Sequence, residues 1–257
     1  MKVDASLMFD PLKCAEMAPQ LEAAGFDGAY TFEGQSDPFI SLTTAAMNTE
    51  KLELMTSIAV AFSRNPMSLA YLANDLQNVS QGRFILGLGT QVKAHIERRF
   101  SMQWSKPAAR MREMVLAIKA IMDGWQTGER LKFEGEFYTH TLSSPTFSPQ
   151  PNVHGIPKIF LAGVGPLMTE VVGEVADGYF VHPFSSEASL DQLSLPAVTK
   201  GREKVGKTLE DFEISGQVVV ATGLDEQSYE QAVASARNQV AFYGSTPAYL
   251  PVLEVHG

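Results

Sequence analysis

The residues Ala162-Gly163-Val164-Gly165-Pro166 join an apolar run to a segment that starts like a helix. Glycines there let backbone amides approach an anion closely, and the positive end of a helix dipole adds to the attraction. Proline suits the first helical position, where its missing N–H would have no helical partner anyway. The same glycines would also serve a tight turn that needs them only for their dihedral freedom. The pattern can cradle a phosphate or merely turn the chain, and the residues alone leave both readings open.

Other polar residues stand where apolar runs end. Glu33 follows such a run, and burial or nearby cations could fit its carboxyl for proton transfer. Thr90 and Gln91 follow the longest run, Arg83-Phe84-Ile85-Leu86-Gly87-Leu88-Gly89. A hydroxyl and an amide there supply both donors and acceptors, although Thr90 could equally cap the helix that follows. His95, within Lys93-Ala94-His95-Ile96-Glu97-Arg98-Arg99, could shuttle protons near pH 7 or lie on a surface helix beside Glu97. Arg64, Lys93, Arg98 and Arg99 are close enough in sequence to form a local basic pocket. His182, before Pro183, also ends an apolar run. No metal-ligand spacing, P-loop, Gly-x-Ser-x-Gly elbow or Cys-x-x-Cys pair is present. Hydrolase and metalloenzyme chemistry therefore find no support, and no metal is expected.

The elements that must position these residues are legible from their periodicity. Strands are expected over residues 3–9, 28–32, 52–60, 83–88, 158–162, 178–181 and 212–221. Helices are expected over 11–24, 38–46, 66–79, 107–125, 166–176, 190–205 and 226–243. The helix at 107–125 is the clearest, with Met111, Met114, Val115, Ile118, Ile121, Met122 and Trp125 at helical spacing. Residues 131–141 alternate like a short hairpin around Glu134-Gly135-Glu136, and the proline-rich 144–157 reads as a surface excursion.

Strands apolar on both faces belong to a buried parallel sheet. Linked by helices with right-handed crossovers, they make an α/β fold, either a doubly wound sheet or a closed barrel. An eight-fold barrel carries its chemistry at the carboxyl ends of its strands, which is where the polar residues above fall. Seven strands are expected, and residues 245–257, with Pro247 and Pro251, are a poor eighth. The expectation is one (β/α)8 TIM barrel domain over 1–257, shortened before its eighth strand and helix, with an insertion at about 91–157. An open barrel would expose apolar edges, so a partner chain, most simply a homodimer, is expected.

Composition agrees with a large core: 257 residues are 45% hydrophobic and 19% charged. The formal charge of −9 argues against nucleic-acid or membrane-surface partners. The single cysteine, Cys14, cannot form an intrachain disulfide and lies on an apolar helix face as a core thiol. With no secretion-like leader and no window of ~20 apolar residues, a soluble, cytoplasmic protein is expected.

Five blocks in register carry a family resemblance. They are Ala23-Ala24-Gly25-Phe26-Asp27-Gly28, Arg64-Asn65-Pro66, Gly82-Arg83-Phe84-Ile85-Leu86-Gly87-Leu88-Gly89-Thr90, Phe133-Glu134-Gly135-Glu136-Phe137-Tyr138 and Ala176-Asp177-Gly178. Their order and spacing resemble the bacterial luciferase-like superfamily, and within it the branch of oxidoreductases that use the deazaflavin coenzyme F420. The resemblance implies hydride transfer between F420 and a small organic substrate. It implies that the cofactor phosphate meets Ala162, Gly163, Val164, Gly165 and Pro166, and that Thr90 and Gln91 meet its ring edge or side chain. It further implies a non-proline cis peptide between Ser57 and Ile58, against the face of the ring. Glu33 and His95 are the implied catalytic candidates. Related sugar-phosphate dehydrogenases have histidine after their acidic residue, and this chain has Gly34. An FMN-dependent monooxygenase and a non-catalytic flavin-binding paralogue are the alternatives.

Overall fold

The computed structural model describes residues 1–7 and 10–257. The chain divides into two compact units, residues 1–162 with 175–177, and residues 163–174 with 178–257.

In the first unit, β1 (Asp4–Ser6), β2 (Gly28–Thr31), β3 (Glu53–Thr56), β4 (Ala59–Val60) and β5 (Phe84–Gly89) alternate with α1 (Pro11–Ala23), α2 (Pro38–Met47) and α3 (Pro66–Val79). Each of these helices begins on proline and is capped by the preceding side chain. Asp10 accepts from Leu12 N, Asp37 from Phe39 N and Asn65 from Ser68 N, which pairs backbone donors that the first helical turn leaves open. After β5 come α4 (Lys93–Arg98), α5 (Pro107–Thr127), an antiparallel hairpin of β6 (Phe133–Glu134) and β7 (Thr139–His140), and β8 (Lys158–Ala162). The large strands are parallel in the order β1-β2-β3-β5-β8. β5 is buried at every position, which accounts for its unbroken apolar reading.

Helix α5 buries the seven residues that its periodicity singled out. The hairpin turns at residues 135–138, and the Glu113 carboxylate on α5 accepts the backbone N–H groups of Glu136, Phe137 and Tyr138 at 2.9, 2.7 and 2.6 Å. The stretch 144–157 is anchored from below. Asn152 is buried, donates to the Asn74 side chain at 3.0 Å and exchanges two hydrogen bonds with Gln126. Cys14 is buried, and burial pushes its thiol up. At the opposite end of the sheet, Arg83 donates to Ser80 O, Thr49 Oγ1, Leu52 O, Ala46 O and Thr49 O, at 2.7–3.2 Å. All five guanidinium donors are used.

Two strand expectations are corrected here. The strand expected over 3–9 is ordered as Asp4–Ser6, and Met8 and Phe9 lie outside the described residues. The strand expected over 52–60 is interrupted. Met55 pairs Ile85 and Ala59 pairs Leu88, so four steps along one chain match three along β5. One extra residue makes a bulge between β3 and β4.

In the second unit, β9 (Gly178–Val181) pairs in parallel with β10 (Glu213–Gly216). Its helices are α6 (Pro166–Val175), α7 (Glu187–Ser189), α8 (Leu195–Lys204) and α9 (Glu226–Gly244), with a π-helical stretch at Leu190–Ser194. The helix expected at 190–205 thus begins earlier, where Ser186 and Ser189 form a capping box. The strand expected over 212–221 covers only Glu213–Gly216. Its ladder ends opposite Val181, after which His182-Pro183 leaves the strand, so Val218 and Val220 are exposed. Residues 245–257 are helical rather than extended, as a 3-10 turn at Pro247–Tyr249 and α10 (Leu250–Glu254).

Helices α6 and α8 touch through glycine. A Cβ on Gly173 would stand 2.0 Å from Val198 O, and one on Gly201 would stand 2.0 Å from Glu170 O. Backbone meets backbone there, and no side chain fits between. Among the described residues no helix is long and apolar enough to cross a membrane.

Candidate functional site

The bulge at residues 56–59 lies at the carboxyl end of the first unit's sheet. Thr56 makes it possible. Its fully buried hydroxyl donates to Gly87 O at 2.7 Å and accepts from Gly87 N at 2.9 Å, bridging to β5 where the strand steps away. The Ser57–Ile58 peptide is cis, in the register that the resemblance implied. Ser57 N donates to Thr31 O at 2.7 Å, and the Ile58 side chain lies over Gly89, where a Cβ would come within 2.9 Å of Ile58 Cγ1. Glycine at 89 is therefore what lets Ile58 settle against the end of β5.

Directly after Gly89, both polar residues are half-buried. Thr90 Oγ1 donates to Gln91 O at 2.9 Å, and Gln91 Oε1 accepts from Val92 N at 3.0 Å. The capping alternative for Thr90 is not realised, because Val92 is the N-cap of α4 and has no side-chain cap bond. Gln91 sits at φ 60°, a left-handed conformation that costs a non-glycine residue ~1 kcal/mol.

Glu33 is more committed than its sequence suggested. Its Oε2 accepts from Arg64 Nη1 at 2.5 Å and from Val60 N at 2.8 Å, with only 8% of the side chain exposed. Arg64 also binds Asp37 Oδ2 at 2.7 Å and lies over the Phe39 ring. Arg64 thus belongs to an ionic cluster with two carboxylates rather than to a free basic pocket. His95 lies exposed on α4, where Lys93 and Glu97 pair at 3.9 Å. Arg99 donates to Gly34 O at 2.9 Å, tying the end of α4 to the loop after β2.

Ala162 ends β8, and Gly163–Pro166 opens the second unit. Gly165 takes φ 80° and accepts from both Thr169 N and Thr169 Oγ1, at 3.0 and 2.9 Å. Gly163 O accepts from the buried Tyr179 hydroxyl at 3.0 Å. Gly163 through Pro166 line a cavity of about 350 Å³ together with Thr169, Tyr179, Ser194 and Lys200. Its walls are largely apolar; the Thr169 and Tyr179 hydroxyls already donate to Gly165 O and Gly163 O, and Lys200 pairs at 2.7 Å with Glu170, a carboxylate that also lines the cavity.

His182 is enclosed by aromatic rings, with Tyr249 at 4.3 Å and Tyr243 at 4.9 Å between centroids. Its Nδ1 accepts from Phe184 N at 3.2 Å, and burial drops its pKa to about 4. The ring is neutral near pH 7.

Sequence reasoning missed Thr56, Asp37 and Tyr179. A threonine ending a buried strand gives no signal of a bulge. Asp37-Pro38 reads as a helix cap, which it also is.

A parallel βα order with a bulged third strand and loops at the strand carboxyl ends is the arrangement of an α/β barrel-type scaffold. The chain belongs to the luciferase-like monooxygenase family, whose model matches residues 5–257. It is 51% identical over 257 residues to an uncharacterized protein of Mycobacterium tuberculosis, spanning 100% of this chain and 76% of that protein. It is 29% identical over 217 residues to the F420-dependent glucose-6-phosphate dehydrogenase of Mycolicibacterium fortuitum, spanning 80% of this chain and 63% of that enzyme. Among solved structures, the coenzyme F420-dependent tetrahydromethanopterin reductase of Methanopyrus kandleri superposes with a TM-score of 0.80 at 22% identity, covering 100% of this chain and 75% of that one. That likeness shows the fold, an α/β fold of the luciferase-like barrel type.

Proposed function

We propose that the protein is an oxidoreductase that transfers a hydride between coenzyme F420 and a small organic substrate. The observation that carries this reading is the bulge at residues 56–59. It places the backbone and the half-buried side chain of Ile58 at the carboxyl end of the sheet, with Thr56 bonded to β5 beside it and Gly89 against it. The similarity to F420-dependent relatives supports the choice of cofactor.

The donor set fits such a group. Ser57 and Ile58 would back the ring, and Thr90 and Gln91 would meet its polar edge or side chain with a hydroxyl and an amide. Ala162 through Pro166 would hold the phosphate with a glycine turn at a helix start. When bound, the deazaflavin supplies the hydride chemistry, and the protein supplies binding, orientation and shielding. His95, exposed on α4, is the group assigned to carry a proton to or from substrate. Gly34 stands where sugar-phosphate dehydrogenases of the family place histidine, so a substrate other than a sugar phosphate is proposed.

Titration of the purified protein with F420 and with FMN tests the reading. Micromolar binding of F420, seen as a change in its fluorescence, with no FMN binding is the expected result. FMN binding at micromolar concentration with none for F420 would overturn it in favour of a flavin monooxygenase.

A further inference from the structure

We propose that Glu33 and Arg64 form an ionic brace that fixes the backbone of residues 58–60, making Glu33 a positioning residue and not the proton carrier. The inference rests on the reading that residues 57–58 meet the cofactor.

The geometry begins where β2 stops. Through Thr31 the edge of β3 is paired by backbone, Thr31 lying opposite Thr56. Beyond it Ser57 N still reaches Thr31 O, but no strand continues alongside residues 58–60 on that side. Glu33 takes the place of that strand. Its main-chain N–H donates to Ile58 O at 3.0 Å, and its carboxylate accepts from Val60 N at 2.8 Å. One residue therefore holds the carbonyl of 58 and the amide of 60.

Arg64 completes the brace from the other direction. Its Nη1 donates to Glu33 Oε2 and to Val60 O at 3.1 Å, so both polar backbone groups of Val60 are bound by this pair. Asp37 anchors the far side of the guanidinium through Nη2, and the Phe39 ring lies against its face. A charged acceptor shared between a guanidinium and an amide makes stronger bonds than a neutral one. Protonating Glu33 would weaken both bonds at Oε2 at once. A carboxyl that gained and lost a proton on every turnover would loosen the backbone that presents the cofactor each time. The geometry therefore gives Glu33 the structural task and leaves proton movement to another group.

Hydrogen exchange on the full chain without cofactor, followed by F420 titration, tests the brace. In Glu33→Ala, the amides of residues 58–61 should exchange at least about tenfold faster than in the parent protein, while those of β5 stay protected. The dissociation constant for F420 should rise by about tenfold or more. Glu33→Gln, which keeps one acceptor, should recover part of both losses, and its kcat should keep the parent's pH profile. Arg64→Lys is the second variant, with the same direction of change if Glu33→Ala does not fold. Unchanged exchange at 58–61 in Glu33→Ala and Arg64→Lys would overturn the brace. So would a Glu33→Gln enzyme that binds F420 normally but loses kcat or one limb of its pH profile. If the parent protein fails to bind F420 while the exchange result holds, the brace stands and the cofactor reading alone falls.

Discussion

Residues 57–64 of the first unit are held by side chains that reach into the backbone, whereas α6 and α8 of the second are held together by side chains that are missing. Glu33 and Arg64 bind main-chain atoms of the bulged strand, and Thr56 binds those of Gly87 on the strand beside it. At Gly173 and Gly201 the absent Cβ atoms let two helices meet backbone to backbone. The first device places a loop at the end of a strand, and the second sets the spacing of two helices. A brace of polar side chains fails by degrees and responds to charge, while a glycine contact accepts or refuses a methyl group outright.

The largest effect should come from breaking the second device. Gly201→Ala or Gly173→Ala sets a methyl group against a carbonyl oxygen, with only backbone to move aside. Either should destabilise the protein by about 3 kcal/mol, read from a shift in denaturation midpoint. Thr56→Val tests the first device. It leaves the buried N–H and C=O of Gly87 without their side-chain partner, and a loss of about 2 kcal/mol is expected in the same assay. A loss at Thr56 as large as that at Gly201 would erase the distinction between the two.

A further effect concerns pH. The folded His182 has a pKa of about 4, against an ordinary 6.5, because burial disfavours its charged form. Between those values the unfolded chain takes up a proton that the folded chain refuses, so stability rises with pH across that window and falls on acidification from 6.5 toward 4. His182→Phe should flatten this part of a melting-temperature profile measured between pH 7 and 4. The smallest stability change belongs to Gly89→Ala, because the neighbour is the movable side chain of Ile58. It should cost at most about 1 kcal/mol yet weaken F420 binding several-fold, since Ile58 is displaced from the proposed ring face. Unchanged F420 binding in Gly89→Ala would count against Ile58 as a ring contact.

Much of this was legible in the sequence. Helices starting on Asp-Pro and Asn-Pro, the buried β5 run and the seven apolar positions of α5 each follow from a local rule: a cap, a period or an uninterrupted apolar stretch. The split of residues 52–60 was not legible, because an extra residue shows only against the partner strand's register. The end of β10 at Gly216 was hidden for a similar reason. Residues 218–221, Val-Val-Val-Ala, keep a strand-like apolar run, but the strand beside them stops at Val181. Glu33 was visible as a carboxylate at a strand end, while its partners, 27 and 31 residues away, were not. The glycines at 173 and 201 carry no signal of their own until the two helices are seen to touch.

Arg83, at the amino end of β5, collects three segments in one side chain: the end of α2, the entry to β3 and the end of α3. Each contact shares the same guanidinium, so opening one frees donors that the others cannot use. These three chain segments should therefore unravel as a single cooperative unit, with matched opening free energies, and not as three independently fraying ends.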